Sequence, residues 1–573
     1  MRTDRERYPD NDLTRPLARG FRGAASSGHA LATQAAIGVL RAGGNAVDAG
    51  VAAGICLNVV HPDKTAFGGI APIVIGTPDG TRHTIVGVGW WPAATTLEGV
   101  RAADARGPAG AFARCVVPAA ASAWCAALEH FGTWTFERVV ADALHYASEG
   151  AAVNAYLAYG AARAAAMPGM WDATLELYAP GGTPLPAGAR LEQRALARSF
   201  TRMIDAERAA AGNRPTGVRM ARDAVYRGVA AEQLVSAVRA GGGVMALDDL
   251  LAFETDVEPA VEHEAFGVRL ATCGVWSQGV VLLQALGILE RLDLQRHAIG
   301  SDPWYHRIAA ALELAFADRD AAYGDPRHVS VDVEALLDPA YLDQRAALVG
   351  QRAFGSPPPA GVGPSRTGAS VAARGDAIAD TSYVGVADAE GWVFSATPSD
   401  TVLDTAFAPM VPELGYGPSG RGNQSRRDPD HPAALGPRRR PRISPMPAIV
   451  TWPDGRAMAL GTPGADAQPQ AMLQVLLALV LGGADPQSAV ELPRATTATL
   501  AASFAPFGVD LGRLWLDPGV EDDVAAALEA RGYRVGRDER ARSGSVCLAG
   551  RPIPQGALVA AADPRLEAVA LAL

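Results

Sequence analysis

Lysine is nearly absent from this chain, and its 51 basic residues are almost all arginine. Against 61 Asp+Glu they leave a formal charge of −10, which gives nucleic acid no electrostatic footing as a partner. The excess of arginine, alanine and glycine reads as compositional bias. Cysteine is scarce too. Cys56, Cys115, Cys125, Cys273 and Cys547 are odd in number, form no C-x-x-C pair and lie mostly in apolar runs. That excludes a disulfide framework or a zinc site and points to buried thiols in a reducing compartment. The N-terminus is charged and lacks an apolar signal core, and the longest apolar stretch, 471–484, is interrupted by Gln474 and too short to span a bilayer. A cytoplasmic protein with no membrane partner is expected. There is no phosphate-binding glycine loop and no metal constellation; His61-Pro62-Asp63 and Asp430-His431-Pro432 are turn sequences. No metal and no cofactor are expected.

What is present is a chain of 573 residues, 49% hydrophobic and 20% charged, long enough for a large core. Apolar periodicity predicts helices at 31–41 and 46–60, separated by the stop Gly43-Gly44 and the cap Asn45, with Asp48 facing the second helix's positive end. Strands are predicted at 73–76 and 84–88. The region 110–260 reads as mostly helical (119–130, 136–149, 191–211, 224–239), with loops at 180–186 and 212–217. Ser277 is the natural cap of a helix through 289. A hairpin at 448–452 and 457–461 leads through Gly461-Thr462-Pro463-Gly464-Ala465-Asp466 into a helix at 469–481.

The stretch from Asp380 to Thr397 organises the rest. Two runs of small, β-branched and apolar residues flank Asp388-Ala389-Glu390-Gly391, the chemistry of a tight reversal. Upstream, about 355–380 is rich in Pro, Gly and Ser and reads as a linker. A linker that ends at a hydroxyl residue opening a strand suggests a cut before Thr381. The cut would free an α-amine with a pKa of about 7.7–8.0, able to take the proton of the threonine's own hydroxyl. From the hairpin alone, an ordinary strand threonine after an interdomain linker is the simpler reading.

Asp380-Thr381-Ser382-Tyr383, with Val386-Ala387-Asp388 and Gly391, resembles the start of the small subunit in the gamma-glutamyltransferase family of N-terminal-nucleophile hydrolases. Four further segments agree in order: Ser26–Thr33 with Leu40–Ala49, Ser277-Gln278-Gly279, Ala315–Asp320, and Gly461–Gln470. The last is similar to the family's acylase-like branch. The resemblance implies an α+β fold, a four-layer αββα sandwich, made from fragments 1–380 and 381–573 that stay associated, with a homodimer of that pair as a further expectation. It implies Thr381 as nucleophile, main-chain N–H groups of Gly464 and Ala465 as oxyanion donors, and Ser399 as a second hydroxyl beside the nucleophile. Thr401 falls where γ-glutamyl enzymes have asparagine. Arg421 and Asn423 fall where those enzymes hold the glutamyl amine, and Ser444 matches one serine of a pair whose other member is Ile443 here. The family's clamp arginine falls on Val88 or Trp90, and neither can hold a carboxylate; Trp90 reads as pocket lining or plain core. An arginine at 421 suits an acidic or carbonyl-rich amide. Three readings follow: a self-processing acylase-like amidohydrolase acting on a small amide, a γ-glutamyl transferase or glutathione hydrolase, and an uncleaved relative that only binds ligand.

Overall fold

The hairpin forms as expected: Val384–Asp388 pairs antiparallel with Val393–Ala396. In this computed structural model, which describes residues 14–210, 212–363, 380–538, 543–552 and 556–573, the hairpin lies inside a seven-stranded antiparallel sheet. The order is Val569–Ala572, Gly23–Ser27, the two hairpin strands, Ile73–Gly76, Arg82–Ile85 and Val257–Pro259. A second seven-stranded sheet runs Ala18–Gly20, Leu558–Ala562, Cys547–Gly550, Ala457–Gly461, Ala448–Thr451, Val268–Thr272 and Val261–Ala265.

Side-chain alternation stacks the layers. Val384, Val386 and Phe394 face a core shared with helices Ala30–Arg41, Ala46–Val60 and Ala120–Phe131. Met458 and Leu460 face a core shared with Gly279–Arg291, Asp302–Ala322 and Gln468–Val480. Between the sheets lie smaller residues, including Ala24, Ala387, Ala459, Ala549 and Ala560, which let the inner faces approach. The result is the αββα sandwich. Helix Ala46–Val60 sits tightly on the hairpin: a Cβ on Gly50 would come within 2.1 Å of the Phe394 ring.

Local chemistry explains most boundaries. Asn45 caps Ala46–Val60 in a capping box with Asp48, whose carboxylate also accepts from Thr133 N (2.9 Å) and Trp134 N (3.1 Å). Three expectations are corrected. A helix, Arg214–Tyr226, begins inside the stretch read as a loop, because Asn213 caps it and Pro215 fits its first turn. The next helix starts at Gly228, whose φ of 60° breaks the run expected at 224–239. Ser277 is not a cap: it donates to Pro445 O (2.8 Å), and the helix starts two residues later. All five cysteines are buried and unpaired. Among the described residues, no helix is long and apolar enough to cross a membrane. The arginine-rich segment 438–442 is partly interior, with Arg440 and Arg442 buried.

Candidate active site

The hairpin register sets the first contact. Val384 faces Ala396, and the same register extended outward places Ser399 opposite Thr381. Their hydroxyls are 2.8 Å apart. Ser399 Oγ also donates to the carbonyl oxygen of Asp380 (2.6 Å), and Asp400 N–H reaches the same oxygen at 3.2 Å. The carbonyl next to Thr381 therefore already carries two donors, the arrangement that stabilises a developing oxyanion. Asp400 holds this position at φ 85°, outside the ordinary region for an L residue. Gly69 lies directly beneath, where a Cβ would fall 2.3 Å from Ser399 O and 2.8 Å from Asp400 Cβ.

Arg421 closes this centre from the other side. It sits in the short helical turn Gly420–Gln424, capped by Ser419, and is 0% exposed. Its Nη2 donates to the Asp380 carboxylate and to Ser399 Oγ, and its Nε faces Asp400 Oδ1 at 2.5 Å. Nη1 donates to Gln424 Oε1 (3.3 Å), and Gln424 Nε2 donates to Ser444 Oγ (3.0 Å). One guanidinium thus meets two buried carboxylates. Burial pushes the Asp380 carboxyl up, Arg421 pulls it back, and Asp400 pushes it up again. Asn423 Nδ2 donates to Ala406 O (2.8 Å), and Thr401 Oγ1 donates to Pro62 O (3.3 Å).

Thr381 also borders a narrow cavity, together with Ser382, His61, Lys64, Glu567 and Pro463. Its volume is about 20 Å³, room for roughly one water. His61 Nδ1 is 3.3 Å from Ser382 Oγ, and burial holds its pKa down near about 4, so the ring is neutral. Lys64 is the chain's single lysine and pairs with Asp63 at 3.3 Å.

Pro463 leads into Gly464 (φ 123°) and Ala465 (φ 49°). Among the described residues, neither main-chain N–H has a hydrogen-bond acceptor. Left-handed backbone costs alanine about 1–2 kcal/mol, and the turn is held from behind. Gln278 Nε2 donates to Ala465 O (2.8 Å) and Ser444 O (2.9 Å), while Arg319 Nη1 donates to Gln278 Oε1 (2.7 Å) and Asp466 Oδ1 (2.6 Å).

Of the residues singled out from sequence, Thr381, Ser399 and Arg421 meet directly, and Ser444 joins them through Gln424. Trp90 does not border the cavity. It packs edge-on to Phe253, with ring centroids 5.0 Å apart, beneath the Arg327 guanidinium. The sequence reading missed Asp380, Asp400, Gln278, His61 and Lys64. The isolation of Lys64 among arginines was a usable signal, and Gln278 lies in a segment that carries the family resemblance; Asp400 gave none, because its partner Arg421 is distant in the chain.

The family model described as Gamma-glutamyltranspeptidase matches residues 32–573. The chain is 31% identical to the Acylase ACY 1 proenzyme of Pseudomonas sp. (strain V22), over 99% of this chain and 96% of that protein. It is 31% identical to the Oxamate amidohydrolase proenzyme of Klebsiella pneumoniae, over 96% and 98% respectively. Among solved structures it is similar to cephalosporin acylase from Bacillus halodurans, with a TM-score of 0.84 and 25% identity over 100% of this chain and 99% of that one. The chain belongs to the gamma-glutamyltranspeptidase family, within which these relatives are acylases and amidohydrolases, two of them named as proenzymes.

Proposed function

We propose that this protein cuts itself between Asp380 and Thr381 and then uses Thr381 as the nucleophile of a small-molecule amidohydrolase. The observation that carries the reading is the placement of the Thr381 hydroxyl against Ser399, beside a carbonyl with two donors and a cavity edged by Pro463. In the cut, Thr381 Oγ bonds to the Asp380 carbonyl carbon, the Asp380–Thr381 C–N bond breaks, and the hydroxyl proton passes to the nitrogen. Water then hydrolyses the ester, leaving a carboxylate on Asp380 and a free amine on Thr381. In turnover that amine takes the hydroxyl proton as Oγ attacks the substrate amide and passes it to the leaving amine. The unpartnered N–H groups of Gly464 and Ala465 would receive the oxyanion. Ser399, Ser444 and Arg421 would form the polar surroundings of Thr381, with Asn423 and Thr401 on the substrate side, while Trp90 belongs to the core.

Fragments 1–380 and 381–573 would remain joined, since each sheet contains strands from both. A homodimer of that pair and a cytoplasmic setting complete the reading; the unpaired thiols favour the latter. Intact mass under denaturing conditions tests the cut. The wild type should give two fragments that co-elute on a native column, and Thr381→Ala should give one inactive full-length chain. A single full-length wild-type species would sink the proposal. Faster release from a γ-glutamyl anilide than from a simple acyl anilide would favour the transferase reading instead.

A further inference from the structure

Asp380 stands in an unusual relation to the centre it precedes. Its carbonyl is the group Thr381 would attack, and its side-chain carboxylate is held by Arg421, a fully buried cation. Two tetrahedral carbons, the methine Cα and the methylene Cβ, separate that carbonyl from that carboxylate. Ser399 Oγ and Asp400 N–H hold the carbonyl oxygen and Arg421 Nη2 holds the carboxylate, so both ends of a four-carbon acyl unit, the carbon skeleton of a succinyl group, are already held.

We infer that Asp380 is a placeholder for the substrate, and that the cut enzyme takes amides whose acyl group carries a carboxylate two carbons from the scissile carbonyl. This rests on the Thr381 reading above. Cutting adds a second carboxylate to Asp380 in a site where Asp380 and Asp400 already face one guanidinium. Excess buried negative charge favours expulsion of the new terminus. Arg421 keeps Asp400 through Nε, while its Nη2, next to Ser399, loses its carboxylate. A buried guanidinium donor without an acceptor is costly, and an incoming carboxylate restores a charge-assisted contact. Turnover follows the same balance as the cut: the ester forms on Thr381 Oγ, the amine leaves with the proton, and water releases the dicarboxylic acid.

Calorimetric titration with 4-oxopentanoate tests this. That ketone has the required spacing and cannot be hydrolysed. The cut wild type should bind it roughly 30-fold or more tightly than 2-pentanone, which lacks only the carboxylate. The uncut Thr381→Ala chain, with Asp380 still on Arg421, should not bind it, and 5-oxohexanoate should bind the wild type more weakly. Equal affinity for 4-oxopentanoate and 2-pentanone, equal binding to cut and uncut protein, or no binding to the cut protein would each overturn the inference. Binding of 5-oxohexanoate as tight as that of 4-oxopentanoate would overturn the spacing. Mass analysis of the same samples separates the two failures. An uncut wild type defeats the nucleophile itself, whereas a cut enzyme indifferent to the carboxylate defeats only the placeholder.

Discussion

Ser399 is the residue on which the uncut centre turns. Its hydroxyl lies 2.8 Å from Thr381 Oγ and 2.6 Å from the Asp380 carbonyl oxygen, so it links attacking and attacked groups. Replacing it removes one of the two donors on that oxygen and leaves Asp400 N–H alone. Loss of one oxyanion donor typically slows a reaction about 10²–10³-fold. Ser399→Ala should therefore slow self-cleavage by roughly that factor without abolishing it, read from the decay of full-length chain over time. A cut as fast as the wild type would remove Ser399 from the chemistry. Thr381 was legible from the linker, the hairpin and the family resemblance together, and Ser399 from the resemblance. Arg421 was legible as a position, but not as the partner of Asp380, because that pairing spans 41 residues.

At the scale of the element, the hairpin and the helix behind it position the centre. The start of helix Ala46–Val60 was readable, since its cap and its small-residue composition are local. Asn45 Oδ1 accepts from Val47 N and Asp48 N, and its Nδ2 donates to Phe131 O at 2.9 Å. Asn45→Ala should cost about 1–2 kcal/mol, measured as a fall in the urea midpoint at unchanged slope. No change would mean that tertiary packing alone sets the helix start. The misread boundaries at Asn213 and Ser277 have another origin. Asn213 can cap a helix or make a loop, and the choice is made by packing against Arg194–Arg208. Ser277 finds a distant carbonyl that no local pattern announces.

The whole molecule adds a dependence on pH that no single element shows. Glu313, on helix Asp302–Ala322, is buried and accepts from Thr497 Oγ1 at 2.6 Å. Burial pushes its pKa up to about 8, against an ordinary value of 4.5. The folded state thus holds a proton that the unfolded state releases between those values. The stability this contributes is fully present below about pH 4.5 and is lost as pH rises through about 8, with a slope of at most about 1.4 kcal/mol per unit. Glu313→Gln keeps an acceptor for Thr497 and cannot ionise. The variant should gain on the wild type as pH rises from 5 to 9, followed by denaturant unfolding at each pH; parallel curves would show that Glu313 ionises normally.

By itself the sequence determined the hairpin with its reversal and the capped helix after Asn45, because turn chemistry and capping act over a few residues; the αββα layering and the place of Ser399 beside Thr381 were expected from the family resemblance. The tertiary structure alone decided that Arg421 spends its charge on Asp380 and Asp400, that Gln278 braces the turn at 464–466, and that Trp90 belongs to the core. Those pairings join distant segments, and burial strengthens them after the chain has folded.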